Sequence, residues 1–473
     1  MKIFMLINSR LSYQFRITNS AFFINHSFRP ISHICKRHRG DIPQKDGYFM
    51  KLKTIPKTFE EVAAMERPKH RKPKKPNMFF RTLMRVASIP DLAATDFTCK
   101  KIGMEKLGKK EPCLFLMNHC SFIDLEIAAT VLYPRSFNII CTSDGFVGKD
   151  WLMHSIGCIP TNKFTSDLHL LRDMSYAVKT LKSSVLMYPE ASYSFDGTST
   201  PLPETLGGCL KLLGVPVVMI RTFGSFSRNP LYNNLKRRKV KVSAEMEYIL
   251  SPEDIKAKTP QELNEILNEN FKFDYWSWQK ENGIKITEDF RAEGLNRVLY
   301  KCPHCSAEGE MQAEGTKILC AHCGKAYQLT ENGDLQAEDG ESAFTHIPDW
   351  YAWERECVKK EITDGNYHLQ VPVDICVLTD TKHVYRVGEG ELTHTPEGFH
   401  LSGCDGTLDY TQSAIASYSL YSDFYWYEIG DVICIGDSKM LYYCFPKCEG
   451  DFVAKTRLAT EEIYKIAKAK RKR

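Results

Sequence analysis

The sequence predicts an α/β core built on a mostly parallel sheet with helices on its faces, then a small module held by paired cysteines, then a β-rich carboxyl-terminal domain. Three observations carry this reading. From about residue 110 to 250, short apolar runs alternate with helix-period segments, the pattern of a parallel sheet covered by helices. Two Cys-x-x-Cys pairs stand at 302–305 and 320–323. From about 365 to 446, alternating and aromatic-rich runs follow one another at strand length.

In the core, Cys113–Met117, Phe137–Cys141, Ser184–Tyr188 and Val215–Ile220 read as buried strands. Phe122–Leu132, Asp167–Leu181 and Leu206–Leu213 read as the helices between them, and a helix-rich stretch over about 260–281 follows Pro260. In the last third, strands are predicted at His368–Leu378, His383–Val387, Gly398–Leu401, Phe424–Glu428, Val432–Ile435 and Met440–Phe445. Gly388–Gly398 reads as strand, turn, strand, and a lysine-rich helix, Thr460–Arg473, closes the chain.

A chain of 473 residues exceeds one ordinary core. The expected division is a disordered or start-site extension over 1–49 ahead of Met50, a basic amphipathic segment over 50–94, the α/β domain over 95–290, the cysteine module over 296–335 and the β-rich domain with its basic helix over 340–473. Hydrophobic content of 43% and charged content of 26% are those of a soluble globular protein. No apolar run approaches the roughly 18–20 residues that span a bilayer. The 17 cysteines are odd in number and scattered outside the two pairs, which reads as reduced thiols of a cytosolic protein.

The net charge of +5 is small, but 67–85 carries Arg67, Lys69, Arg71, Lys72, Lys74, Lys75, Arg81 and Arg85 with no acid. Over Asn77–Ser88, Phe79, Phe80, Leu83, Met84 and Val86–Ala87 recur at helical spacing. A basic amphipathic helix of this kind lies in an anionic membrane surface or docks on its own domain. Both readings stay open at this point.

Asn118 and His119 follow directly on the strand ending at Met117, and Asp124 stands five residues beyond the histidine. Carboxyl ends of parallel strands are where α/β sheets build sites. A histidine there suits general-base chemistry near neutrality, and a carboxylate on its other ring nitrogen fixes the tautomer and supports the imidazolium. The same residues also fit plain helix capping, because Ser121-x-x-Asp124 precedes the helix that opens near Phe122.

Asn118-His119-x-x-x-x-Asp124 resembles the signature of the glycerophospholipid (1-acylglycerol-3-phosphate type) acyltransferase family, and three further blocks follow in the family's order. Gly157-Cys-Ile-Pro-Thr-Asn-Lys163 is similar to the second block, Tyr188-Pro-Glu-Ala-Ser-Tyr-Ser194 to the third and Val215-Pro-Val-Val218 to the fourth. The resemblance implies that His119, supported by Asp124, takes the proton of an acceptor hydroxyl as it attacks the thioester of acyl-CoA or an acyl-carrier protein. It also implies that Asn118, Lys163, Glu190, Ser192, Ser194 and Arg221 bind the substrates, and that the acceptor is a lysophospholipid or related glycerolipid. Cys120 reads as a packing residue. The sequence departs from the family at Ala191 and Tyr193, where glycine and arginine are usual, and at Lys163, which closes the second block in place of arginine. These changes remove a bidentate fork for phosphate, and Arg221 is the expected substitute. A second reading is an acyltransferase fold that binds lipid or acyl carrier without turnover.

Cys302-Pro-His-Cys305 and Cys320-Ala-His-Cys323 are two knuckles separated by 14 residues. They predict a zinc ribbon, four thiolates around a structural Zn²⁺ with no position left for water. A nucleic-acid-binding protein is the rival that a ribbon raises. Lys301, Lys317 and Lys325 are balanced here by Glu308, Glu310 and Glu314, so nucleic acid is not the expected partner. The β-rich segment and its closing helix resemble pleckstrin-homology-like or GRAM-like domains. Together these features predict a cytoplasmic protein, peripheral at the inner face of the membrane.

Overall fold

The computed structural model describes residues 52–165, 168–447 and 450–471. The expectation for 1–49 lies outside the described residues. A short strand, β1 (Thr54–Pro56), comes first. The helix Met78–Ala93 starts at Asn77, whose side chain accepts from the Phe80 N–H, a bond that satisfies one of the orphan donors of the first turn.

The core sheet holds β2 (Thr98–Ile102), β3 (Leu114–Met117), β4 (Phe137–Thr142), β5 (Cys158–Thr161), β6 (Ser184–Met187), β7 (Val217–Phe223) and β8 (Ser243–Leu250) in the spatial order β2-β8-β7-β3-β6-β4-β5. Every neighbouring pair is parallel except β7 with β8. Side chains alternate across a strand, and β3 divides accordingly. Phe115 and Met117 pack with Ile123 and Ile127 of the helix Ile123–Val131. Leu114 and Leu116 pack on the opposite face with Met174, Leu210 and Leu263, from the helices Leu168–Lys179, Leu206–Leu213 and Pro260–Phe271. The last two helices touch at Gly207, where an added Cβ would lie 2.0 Å from the Pro260 carbonyl oxygen.

After the core come β9 (Met311–Glu314), β10 (Lys317–Cys320), β11 (Ala326–Leu329) and β12 (Leu335–Ala337), an antiparallel meander. The helix Ile347–Thr363 leads into β13 (Leu369–Leu378), β14 (Val384–Thr395), β15 (Gly398–Gly403), β16 (Leu408–Ser413), β17 (Tyr421–Trp426), β18 (Gly430–Gly436) and β19 (Leu441–Pro446). Their order is β16-β15-β14-β13-β19-β18-β17, so the first strand pairs with the last, and β1 joins β14 in parallel. The helix Phe452–Arg471 closes the chain.

The strand, turn and strand expected over Gly388–Gly398 are observed: Gly388 to Thr395 lie in β14, the chain reverses between Thr395 and Gly398, and β15 begins there. The glycine at 390 marks close strand contact, since a Cβ there would meet the Ser402 carbonyl oxygen at 2.3 Å. One apolar cluster runs without a break from Phe195, Phe226 and Trp276 through Ile318 and Tyr327 to Trp350, Val373, Ile433 and Leu458. The ribbon and the carboxyl-terminal sheet therefore share a core with the α/β layer.

Candidate active site

β3 lies between β6 and β7, so the loops leaving these three strands converge on one spot. Asn118 fixes the end of β3 to β7: its Oδ1 accepts from the Thr222 N–H at 2.8 Å, and its amide also meets the Tyr275 hydroxyl. The next residue, His119, has its backbone N–H bonded to Glu190 Oε2 at 2.9 Å. Glu190 is fastened in turn by the Thr200 N–H, 2.8 Å from Oε1. The His119 ring turns toward Asp124, with 3.2 Å between Nδ1 and Oδ2.

Asp124 is fully buried and does more than hold the ring. Its Oδ2 accepts from the backbone N–H groups of Cys120 at 2.7 Å and Ser121 at 3.0 Å. This is half of the capping arrangement expected from the sequence. The reciprocal half is missing: the Asp124 N–H goes to the Ser121 carbonyl, and the Ser121 hydroxyl has no partner among the described residues. The carboxylate thus joins the helix start to the imidazole.

Burial holds His119 below its ordinary pKa, against the pull of Asp124, so the ring stays neutral and able to accept a proton near pH 7. Burial also pushes Glu190 up to about 7. The Cys120 thiol is buried against the Tyr275 hydroxyl and lies well above the usual thiol range. A thiol so disfavoured as thiolate is a packing group and no nucleophile.

Two rings that the sequence reading left unused flank the histidine. Tyr188 stacks on His119 at 4.1 Å between centroids, and Tyr193 lies at 4.4 Å. Tyr193 occupies the family's arginine position with an aromatic wall. Ala191 has φ +57°, a left-handed backbone that accounts for the family's glycine there. Tyr275, the third missed residue, lies beyond the four blocks and carried no motif.

The remaining expected residues divide. Ser192 is buried in the same loop with its hydroxyl unpartnered among the described residues. Ser194 is spent on that loop's own turn, donating to the Thr198 carbonyl at 2.6 Å and accepting from the Gly197 N–H at 3.0 Å. Arg221 is not brought to the cluster. It alternates with Thr222 along β7, so it faces the other side of the sheet, where it pairs with Glu247 at 2.8 Å and with Asn270. Lys163 lies beyond β5 with its Nζ 4.2 Å from the centre of the Tyr421 ring. Burial lowers its pKa, while Asp144 and Asp423 raise it.

Cys302, Cys305, Cys320 and Cys323 bring four sulfurs within 4.8 Å of one another. The Sγ–Sγ distance is 3.8 Å for Cys302–Cys323 and 3.7 Å for Cys305–Cys320. Four thiolates about 2.3 Å from one tetrahedral ion stand about 3.8 Å apart, so the cluster fits that ion.

Residues 99–221 match the model of the Acyltransferase family. A comparison with curated proteins finds no match. Among solved structures, the chain is similar to the 1-acyl-sn-glycerophosphate (LPA) acyltransferase PlsC from Thermotoga maritima, at 17% identity over 40% of this chain and 76% of that one, with a TM-score of 0.32.

Proposed function

Taking residues 99–221 as an acyltransferase-family domain, we propose that the chain transfers an acyl group from an acyl-CoA or acyl-carrier-protein thioester to the hydroxyl of a lysophospholipid or related glycerolipid. The observation that carries this reading is the contact of His119 Nδ1 with the buried Asp124 carboxylate. As a carboxylate, Asp124 keeps the proton on Nδ1 and leaves Nε2 as the base. Nε2 takes the acceptor's hydroxyl proton as its oxygen attacks the thioester carbon. The proton then passes to the leaving thiolate as the acyl ester forms. No enzyme nucleophile is required, in keeping with the packed Cys120.

The cysteine cluster would hold a structural Zn²⁺, outside the reaction. Support for a membrane-surface location comes from the helix Met78–Ala93, which keeps Phe79, Val86 and Ile89 exposed while Asp91 and Leu92 are buried. Exposed Trp151 adjoins it through Phe80, 5.9 Å between rings. Among the described residues no helix is long and apolar enough to cross a membrane. The location we propose, on the strength of the exposed apolar side chains of this helix, is peripheral at the cytoplasmic face. A PH- or GRAM-like reading of the carboxyl-terminal domain is supported by its seven strands with first and last paired and by the closing helix.

The test is lipid mass spectrometry after mixing purified protein, labelled acyl thioester and a panel of lysolipids and alcohols, with His119→Ala alongside. A labelled ester made by the wild type and not by the variant is expected. Its absence for every acceptor and both donor classes would leave a binding fold without turnover.

A further inference from the structure

We propose that Arg457, on the carboxyl-terminal helix, joins Lys163 to hold the phosphate of the acceptor headgroup, in place of the arginine that Tyr193 replaces. This deepens the acyltransferase reading and rests on it. Two residues beyond Tyr193 in the same loop, the Phe195 ring lies under the Arg457 guanidinium at 4.4 Å. A cation is thus delivered to the loop from more than 250 residues along the chain, where no motif of the core would reveal it.

Arg457 is 3% exposed, and its Nη1 has no partner among the described residues. A guanidinium has five donors, and leaving the two on Nη1 unpaired in a buried place is costly. Its contact with Glu461 is long, 3.5 Å from Nε. Glu461 is meanwhile engaged by Arg355 at 2.7 Å and by the Ser419 hydroxyl at 2.7 Å. Lys163 is in the same condition. It makes no ion pair among the described residues; the nearby Asp144 carboxylate accepts on Oδ2 from the Tyr421 hydroxyl at 2.5 Å and from Trp426 Nε1 at 3.0 Å, and its Oδ1 has no partner among the described residues. Lys163 stands over the Tyr421 ring of β17, and the Phe195 ring beneath Arg457 packs at 4.4 Å on Phe424 of the same strand, so β17 brings the two cations together, each with donors unused. The buried hydroxyls of Tyr188 and Ser192, on the Tyr193 loop, also lack partners among the described residues. A phosphomonoester supplies the charge and the acceptor oxygens that this set lacks.

Asp144, and Asp423 on β17, are the opposing groups, since both favour the charge of Lys163. Burial pushes Asp423 up to about 7, and Lys163 draws it back down. A phosphate held by Lys163 would compete with either carboxylate.

Binding of sn-glycerol 3-phosphate, glycerol and inorganic phosphate to the full chain, measured without acyl donor, tests the site. The wild type is expected to prefer glycerol 3-phosphate to both others. Arg457→Gln should weaken that binding about tenfold or more, Arg457→Lys should recover part of it, and Asp423→Asn should tighten it. Equal binding of glycerol and its phosphate overturns the proposal, as does an unchanged affinity in Arg457→Gln. Inorganic phosphate bound as tightly overturns the headgroup assignment. Should Arg457→Gln fail to fold, Asp423→Asn decides, and an unchanged affinity there also overturns it. Phosphate binding without acyl transfer to any acceptor would sink the acyltransferase reading and leave this site standing. Acyl transfer with no preference for lysophosphatidic acid over monoacylglycerol would do the reverse.

Discussion

Nδ1 of His119 lies 3.2 Å from Oδ2 of Asp124, and that one oxygen also receives the backbone N–H groups of Cys120 and Ser121. A single carboxylate thus orients the imidazole and anchors the helix behind it, and the proposed catalytic role separates from the capping role by substitution. Asn in place of Asp124 can keep the backbone bonds and the Nδ1–H bond through its carbonyl, since one oxygen takes all three, but it brings no charge to stabilise the imidazolium. Asp124→Asn is expected to lower kcat roughly 10²–10⁴-fold while costing about 1 kcal/mol of stability. His119→Ala should lose turnover to at least the same extent with its fold intact. Parallel kinetics and thermal melts check both. Near-normal turnover in Asp124→Asn would reduce the aspartate to a cap.

The pH profile follows from the burial of His119. Its pKa lies below the ordinary 6.5, and the base acts when neutral, so the acid limb of kcat/KM is expected below pH 6.5. Asp124 raises that pKa. The residual activity of Asp124→Asn should therefore show its acid limb lower still. A limb above 6.5 in the wild type would contradict the half-buried, neutral ring.

Glu190 titrates in the opposite sense. Its folded pKa is raised from 4.5 to about 7, so the native state holds a proton that the unfolded chain releases. The resulting stabilisation is full below about pH 4.5 and is lost as the pH rises to about 7, by up to about 3 kcal/mol. Asp423 is also raised to about 7 and acts in the same direction, so the comparison is made by difference. Relative to the wild type, Glu190→Gln should gain in melting temperature as pH rises through that window. A difference that does not vary with pH would show that Glu190 is not the group titrating.

Much of the site was legible because it is local. Asn118, His119 and Asp124 fall within seven residues, and β3, β6 and β7 announced themselves as apolar runs near their observed ends. β2, β8 and β16 gave no such signal: each alternates with polar or charged residues, as Thr98-Cys-Lys-Lys-Ile102 does. The helix Ile347–Thr363 is interrupted by charges on most turns and was missed too. Arg221 was proposed from its place after a strand, but a period of 2 sent it to the face opposite Thr222. Tyr275 reaches Asn118 and Cys120, and Arg457 the Phe195 ring of the neighbouring loop, through tertiary packing, which spacing along the chain does not encode.

Metal removal tests how far the ribbon reaches. Its Ile318, Cys320 and Tyr327 belong to the apolar cluster that includes Trp276 and Trp350. One Zn²⁺ per chain is expected by elemental analysis. Chelation or Cys320→Ser should then destabilise the core as well as the ribbon, seen as one lowered transition in place of an isolated loss. Protein purified without chelator and free of zinc would remove the ion from the account.

The last prediction concerns the membrane. On the helix Met78–Ala93, Phe79 is 64% exposed, Val86 52% and Ile89 53%, and neighbouring Trp151 is 65% exposed. The basic residues are partly engaged with the protein: Arg81 donates to the Pro134 carbonyl, Arg85 covers the Tyr133 ring, and Arg71 pairs with Asp150 at 2.7 Å. Insertion of the apolar side chains should accordingly contribute more than charge. Burying one such side chain is worth about 1.5–3 kcal/mol, so Phe79→Ser with Ile89→Ser should weaken vesicle binding by well over tenfold, on neutral and anionic vesicles alike. Raised salt should weaken binding to anionic vesicles by a smaller factor, through screening of Lys69, Lys72 and Lys74. Both substitutions replace exposed residues, so melting should barely change. Vesicle sedimentation measures the two binding arms, and a thermal melt the third. If the double variant binds as the wild type does, this helix is not the surface that meets lipid.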